Sequence, residues 1–182
     1  MKYLLLLCLA GAAFAESSFE LDPSKTEINF TLPATMHTVH GTFKLKRGAI
    51  HFDPATGKAG GEIVVDLASG ASGNGSRDKR LQNEILETKK YPEAIFKPDS
   101  LKGRLETEGE SQLNLHGLFN IHGAEHEMNL QLLVDAQGGG RYTATSHFQI
   151  PYVEWGIKDP SNFLVRVDQK VLMEVKAAAK PR

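Results

Sequence analysis

Seven histidines give this chain its most obvious chemical candidates. Imidazole can ligate zinc or move a proton near neutral pH. His122 and His126 have the H-x-x-x-H spacing that binds zinc when it falls on one face of a helix. Here the surrounding residues alternate with period two, so the pair could meet only across a turn. His116 and His122 lie on the polar face of the same run, about 20 Å apart at strand rise. His37 and His40 point to opposite faces of theirs. The expectation is hydrogen-bonding histidines in hairpins and no metal, with His122 and His126 kept as the candidate ligands.

Nucleophilic chemistry finds less support. Cys8 is the only cysteine. Ser76, in GNGSR, does not sit in the strand–elbow–helix pattern G-x-S-x-G. The glycine-rich residues 70–75 have neither the lysine of a phosphate-binding P-loop nor the spacing of a dinucleotide fingerprint. They read as a loop entering a helix. The helix start, with His37, Ser76, Arg77 and Asp78, could receive a phosphate or carbonyl head group. No catalytic set emerges, and the chain reads as a non-enzyme. Its 21 basic and 22 acidic residues leave a net charge of −1, with no basic field to draw nucleic acid.

The elements that would position these groups are nearly all strands. Residues 73–92 are the exception and read as one amphipathic helix. Ser76 can cap it, Leu81, Ile85 and Leu86 form its apolar stripe, and Pro92 forbids its continuation. Elsewhere the period is two. Ile28, Phe30 and Leu32 oppose Glu27, Asn29 and Thr31. Leu113, Leu115, Gly117, Phe119 and Ile121 run to a turn at Gly123-Ala124 and return as Met128, Leu130, Leu132 and Val134. Residues 94–96 and 101–105 read as two short strands. Phe163, Val165 and Val167 lead into Val171, Met173 and Val175 as the last strand, followed by a frayed tail.

About eight antiparallel strands with one apolar face each must bury that face, and one helix cannot cover it. Closure into a barrel solves both the burial and the exposed edges. A two-sheet sandwich is the alternative. Gly41, Gly103 and Gly117, on the apolar face, favour the barrel, where they leave room or permit a bend. The fold expected is mainly β: an extended antiparallel barrel with the helix covering one opening. Its apolar interior would be lined by Val39, Phe43, Ile63, Val65, Leu81, Ile85, Phe96, Leu115, Phe119, Met128, Tyr142 and Phe148, with Trp155 as an aromatic wall at the mouth.

The first fifteen residues read as a cleaved signal peptide. Lys2 supplies the positive start, residues 3–10 the short apolar run, and Ala13-Phe14-Ala15 the small-x-small cleavage site. Lipidation at Cys8 is the alternative, but Leu7 stands where a small residue is needed. Residues 16–182 then form a single domain without cysteine, so without disulfides. Export without disulfides points to the bacterial periplasm.

Four stretches resemble the YceI-like lipid-binding family. SGNGSRDKRLQNEILETKKYPEAIF, residues 72–96, is similar to its motif of an RD pair opening a helix and a YP-x-x-x-F strand after it. MHTVHGTF, residues 36–43, resembles its H-x-x-V-x-G-x-F strand. LHGLFNIHGAEHEMNL, residues 115–130, resembles its G-x-L-x-I-H-G hairpin. HFQIPYVEWGIKDPS, residues 147–161, resembles its W-G motif but differs from the commoner ending. The resemblance implies a lipocalin-like barrel, exported in bacteria, with a long apolar ligand inside: a polyisoprenoid, an isoprenoid quinone or a long-chain lipid or amide. It implies no shared catalytic reaction. At about 0.3 kcal/mol per atom, a chain of about 20 carbons gains roughly 6 kcal/mol and one of about 40 roughly 12. The expectation is therefore a carrier or buffer with no cofactor beyond its lipid. A stress-linked interaction module with incidental lipid is the alternative, and a metal-dependent enzyme the remote one. A membrane enzyme is a candidate partner, and pairing of barrels through exposed strands makes a homodimer plausible.

Overall fold

Alternating apolar residues dictate strands, and the described residues form nine of them. The computed structural model describes residues 17–182, so the expected signal peptide and Cys8 lie outside the described residues. The strands are β1 (Ser17–Leu21), β2 (Glu27–Leu32), β3 (Val39–Phe52), β4 (Ala59–Ala71), β5 (Glu93–Lys102), β6 (Gly109–Ile121), β7 (Ala124–Ala136), β8 (Tyr142–Ile150) and β9 (Val171–Pro181). From β2 to β9 each strand pairs antiparallel with the next, and β9 returns to β2, closing the barrel. β1 and β2 share one stave. β1 pairs the far half of β3, with Phe19 opposite Ile50, and β2 pairs the near half, with Phe30 opposite Gly41. β9 borders both. The result is a closed eight-stave barrel with one helical insertion.

The helix follows β4. It runs as α1 (Gly75–Arg80) and continues as a π-helical segment, Leu81–Ile85. The wider turn is closed by the Leu86 amide donating to the Leu81 carbonyl at 2.8 Å. Asn74, not Ser76, is the cap: its Oδ1 accepts from the amides of Ser76 and Arg77, both at 3.1 Å. A short amide side chain one position outside the first turn reaches these orphan donors, whereas Ser76 is already inside that turn. The helix also stops earlier than Pro92 requires, with Glu87 at φ +48°.

Four other local expectations are corrected. Residues 94–102 form one strand, because β5 absorbs Pro98 at a register shift against β6. Gly103 lies beyond that strand, in the turn before β6. The β6–β7 turn is His122-Gly123, with φ values of +53° and +81°, the two positive angles of a tight type I′ hairpin. Residues 161–167 are loop, joined to the barrel by a bridge between Ala34 and Val167. The tail is not frayed: Ala177, Ala178 and Ala179 pair with Ala144, Thr143 and Tyr142, and Ala179 also faces Leu21 of β1.

Gly117 shows why β6 needs a residue without a side chain. It lies opposite Pro98, and a Cβ there would stand 2.3 Å from the Lys97 carbonyl oxygen. At Gly41 a Cβ would meet the Phe30 ring at 2.3 Å. Both glycines thus allow close approach, by a strand in one case and by an inward ring in the other.

The two barrel ends differ. At one, the Phe19 ring stacks on Phe52 at 6.0 Å and meets the edge of Tyr142 at 5.3 Å. Buried Leu101, Leu113 and Val134 complete this plug. The other end carries the helix, the β2–β3 loop and the long β8–β9 loop, residues 151–170.

Candidate functional site

Between the plug and the helix the barrel is hollow. The cavity has a volume of about 620 Å³ and is walled almost wholly by apolar side chains. That lies within the roughly 300–1,000 Å³ of small-molecule sites. Phe43, Ile63, Val65, Phe119 and Phe148 all border it and are only half-buried, although they face the inside of a closed barrel. In a solid core such residues would be fully buried. Their residual exposure is to the void.

The structure places eleven of the predicted lining residues on this wall: Val39, Phe43, Ile63, Val65, Leu81, Ile85, Phe96, Leu115, Phe119, Met128 and Phe148. It places two elsewhere. Tyr142 is part of the aromatic plug, because the cavity stops short of the end where Phe19 and Phe52 fill the space. Trp155 does not border the cavity but packs with the core beside it. β7 and β8 pair only over Leu133–Ala136 and Tyr142–Thr145 and then diverge. The chain after β8 folds back there, and Trp155 stacks on His126 at 4.0 Å and 6°, with Phe119 at 6.1 Å. Where the strands part, the buried Ser146 hydroxyl donates to the Gln131 carbonyl at 2.8 Å, so the gap leaves no unpaired hydroxyl.

The helix covers the mouth as expected. Leu81, Ile85 and Leu86 face the cavity, and Ser76, Arg77 and Arg80 stand at its rim with His37. Arg77 is already engaged: its Nε donates to Ser72 Oγ at 2.7 Å and its Nη2 to the Ser72 carbonyl at 2.8 Å. Asp78 does not reach the cavity. Its carboxylate accepts from the Ser72 amide and hydroxyl, turning it back toward the loop before the helix. The Arg77-Asp78 pair therefore fixes the entry of the helix through Ser72. Arg80 was missed as a rim residue because it sits in a crowd of charges; it donates to the Pro160 carbonyl at 3.2 Å.

Sequence reasoning also missed Ile157, Val165 and Val167, which with Tyr152 complete the wall from the β8–β9 loop. The alternation at 163–167 was the available signal, read as strand. Tyr152 anchors this loop by donating its hydroxyl to the Asp168 carbonyl at 2.7 Å. Burial, with the carboxylates of Asp159 and Asp168 adding to it, pushes the Tyr152 phenol up to about 12.

The metal candidates each pack against other side chains. His122 Nε2 lies 2.8 Å from the Glu87 carboxylate, with the Tyr91 ring at 4.4 Å, while His126 is held by Trp155. His116 pairs with Asp99 at 2.7 Å. Among the described residues no three histidine, cysteine or acidic side chains gather in a metal-binding group.

The model of the YceI-like domain matches residues 19–179. Three solved structures share the fold. A polyisoprenoid-binding domain from Saccharophagus degradans, implicated in plant cell wall breakdown, is 16% identical, with a TM-score of 0.71 over 91% of this chain and 99% of that one. BcnA of Burkholderia cenocepacia is 17% identical, with a TM-score of 0.69 over 87% and 98%. A Campylobacter jejuni YceI protein is 18% identical, with a TM-score of 0.60 over 74% and 80%. No curated protein sequence matches significantly.

Proposed function

The chain belongs to the YceI-like family, and from that premise we propose that it is an exported carrier or buffer of a long apolar molecule. The ligand class is a polyisoprenoid, an isoprenoid quinone or another long-chain lipid, held lengthwise in the barrel. The single observation that carries this reading is the apolar cavity of about 620 Å³ inside a closed barrel. An open volume lined by Phe, Leu, Ile, Val and Met sacrifices packing contacts that a solid core would keep. An alkyl or prenyl chain restores them, and its affinity follows from apolar burial without any charged partner. The ligand named for the Saccharophagus degradans domain supports the same class.

The polar end of the ligand stays at the mouth, beside His37, Ser76 and Arg80. Arg77 contributes through its remaining guanidinium donors, and Asp78 serves the loop rather than the ligand. The lining supports holding a molecule rather than transforming it. Native mass spectrometry of protein purified from its own host without detergent, followed by organic extraction, tests the reading. A discrete added mass that extracts as a long-chain lipid is expected. Bare protein, with no lipid taken up from farnesol or a prenyl quinone, would overturn it.

A further inference from the structure

The cavity mouth carries an apolar outer rim that the lining does not use. Phe163 is 100% exposed, Leu164 78% and Met36 72%. Phe163 and Leu164 project from the β8–β9 loop and Met36 from the β2–β3 loop. These loops are joined at the mouth: Ala34 bridges Val167, the Thr35 amide donates to the Arg166 carbonyl at 2.9 Å, and the Asp168 amide donates to the Pro33 carbonyl at 2.9 Å. On the inner side of the same loops, Ala34, Val165 and Val167 line the cavity. Apolar surface thus continues from the cavity wall, around the rim, to three large side chains in water.

We propose that this rim is a membrane-docking surface, which seats the barrel mouth on a lipid bilayer so that an apolar ligand passes between bilayer and cavity without crossing water. The proposal rests on the lipid-carrier reading for its purpose, but its test does not. Three observations favour a bilayer as the occupant. The exposed groups are an aromatic and two flexible aliphatics on loop tips, the types that enter the interfacial zone of a membrane. They stand at the opening through which a water-insoluble ligand must enter. They are also too few for a second copy of the chain: three side chains on two loop tips fall well short of the roughly 1,200 Å² that a stable dimer buries.

Charge plays a minor part. Arg80 and Lys158 share the Glu84 carboxylate, each at 3.5 Å, and Arg166 stands near Asp159, so carboxylates offset part of the rim's positive charge. Binding is therefore driven by apolar insertion and survives salt. In flotation with vesicles of phosphatidylethanolamine and phosphatidylglycerol in equal parts, the protein floats, and still floats in about 1 M salt, where screening shortens to about 3 Å. The double variant Phe163→Ser/Leu164→Ser loses at least about tenfold in bound fraction, and Phe163→Trp keeps it. Neither change touches the wall, so uptake of detergent-solubilised farnesol by the double variant, read by native mass spectrometry, stays at the wild-type level. That arm separates loss of docking from loss of ligand binding. Three results would overturn the proposal: wild type that does not float, a double variant that floats equally well, or a wild-type dimer in solution that the double variant abolishes.

Discussion

Val65 has a small side chain on the inner face of a closed barrel, yet it is only half-buried because it borders the void. A larger side chain there fills ligand space instead of clashing with a packed core. Val65→Phe is therefore expected to leave the fold intact, within about 1.5 kcal/mol. It should weaken binding of a prenyl chain by about tenfold, the loss of a few buried methylenes, measurable by fluorescence titration with a labelled isoprenoid. Tyr152 makes a pH prediction. Its folded pKa, about 12, lies above the ordinary phenol value of about 10. Its contribution to stability is thus complete below about pH 10 and is lost as pH rises toward 12. Tyr152→Phe should flatten the fall in melting temperature across that alkaline window, and should destabilise by about 1 kcal/mol at neutral pH through the lost bond to Asp168. Period-two alternation exposed most wall residues in the sequence. Tyr142 was misread because alternation says which face a residue occupies, not how far along the barrel the space remains open.

At the scale of elements, the helix lid depends on what holds its start. Asn74→Ala removes the side-chain acceptor for two amides and should destabilise by about 1 kcal/mol, seen as a lower denaturant midpoint. Ser76→Ala should have a smaller effect, because Ser76 does not cap. This distinction was not legible beforehand: GNGS offers two residues with capping chemistry two positions apart, and only the path of the loop decides between them. The hairpins were legible, because turn residues fix their own geometry. The β8–β9 loop was not. Phe163, Val165 and Val167 alternate like a strand, but β2 and β8 already occupy both sides of β9. Gly117→Ala should be among the most damaging single methyl additions, since the new Cβ would meet the Lys97 backbone at 2.3 Å. An expression and melting comparison with Gly75→Ala, where a Cβ would meet nothing within 4 Å, checks that contrast.

For the whole molecule, closure is the consequence of having one apolar face per strand and only one helix to cover it. Closure removes edges, and eight staves enclose a space that side chains could have filled. This chain fills one end with Phe19, Phe52 and Tyr142 and leaves the rest open to the helix. The sequence foretold the barrel, because closure follows from counting faces. It did not foretell the division into plug and cavity, which depends on where rings from distant strands meet. The most direct test is native mass spectrometry of detergent-free protein from its own host, with organic extraction. The account predicts one discrete added mass that leaves with the solvent and is identified as a prenyl or other long-chain lipid. Protein of bare mass that also fails to take up farnesol or a prenyl quinone, with its fold intact, would contradict it.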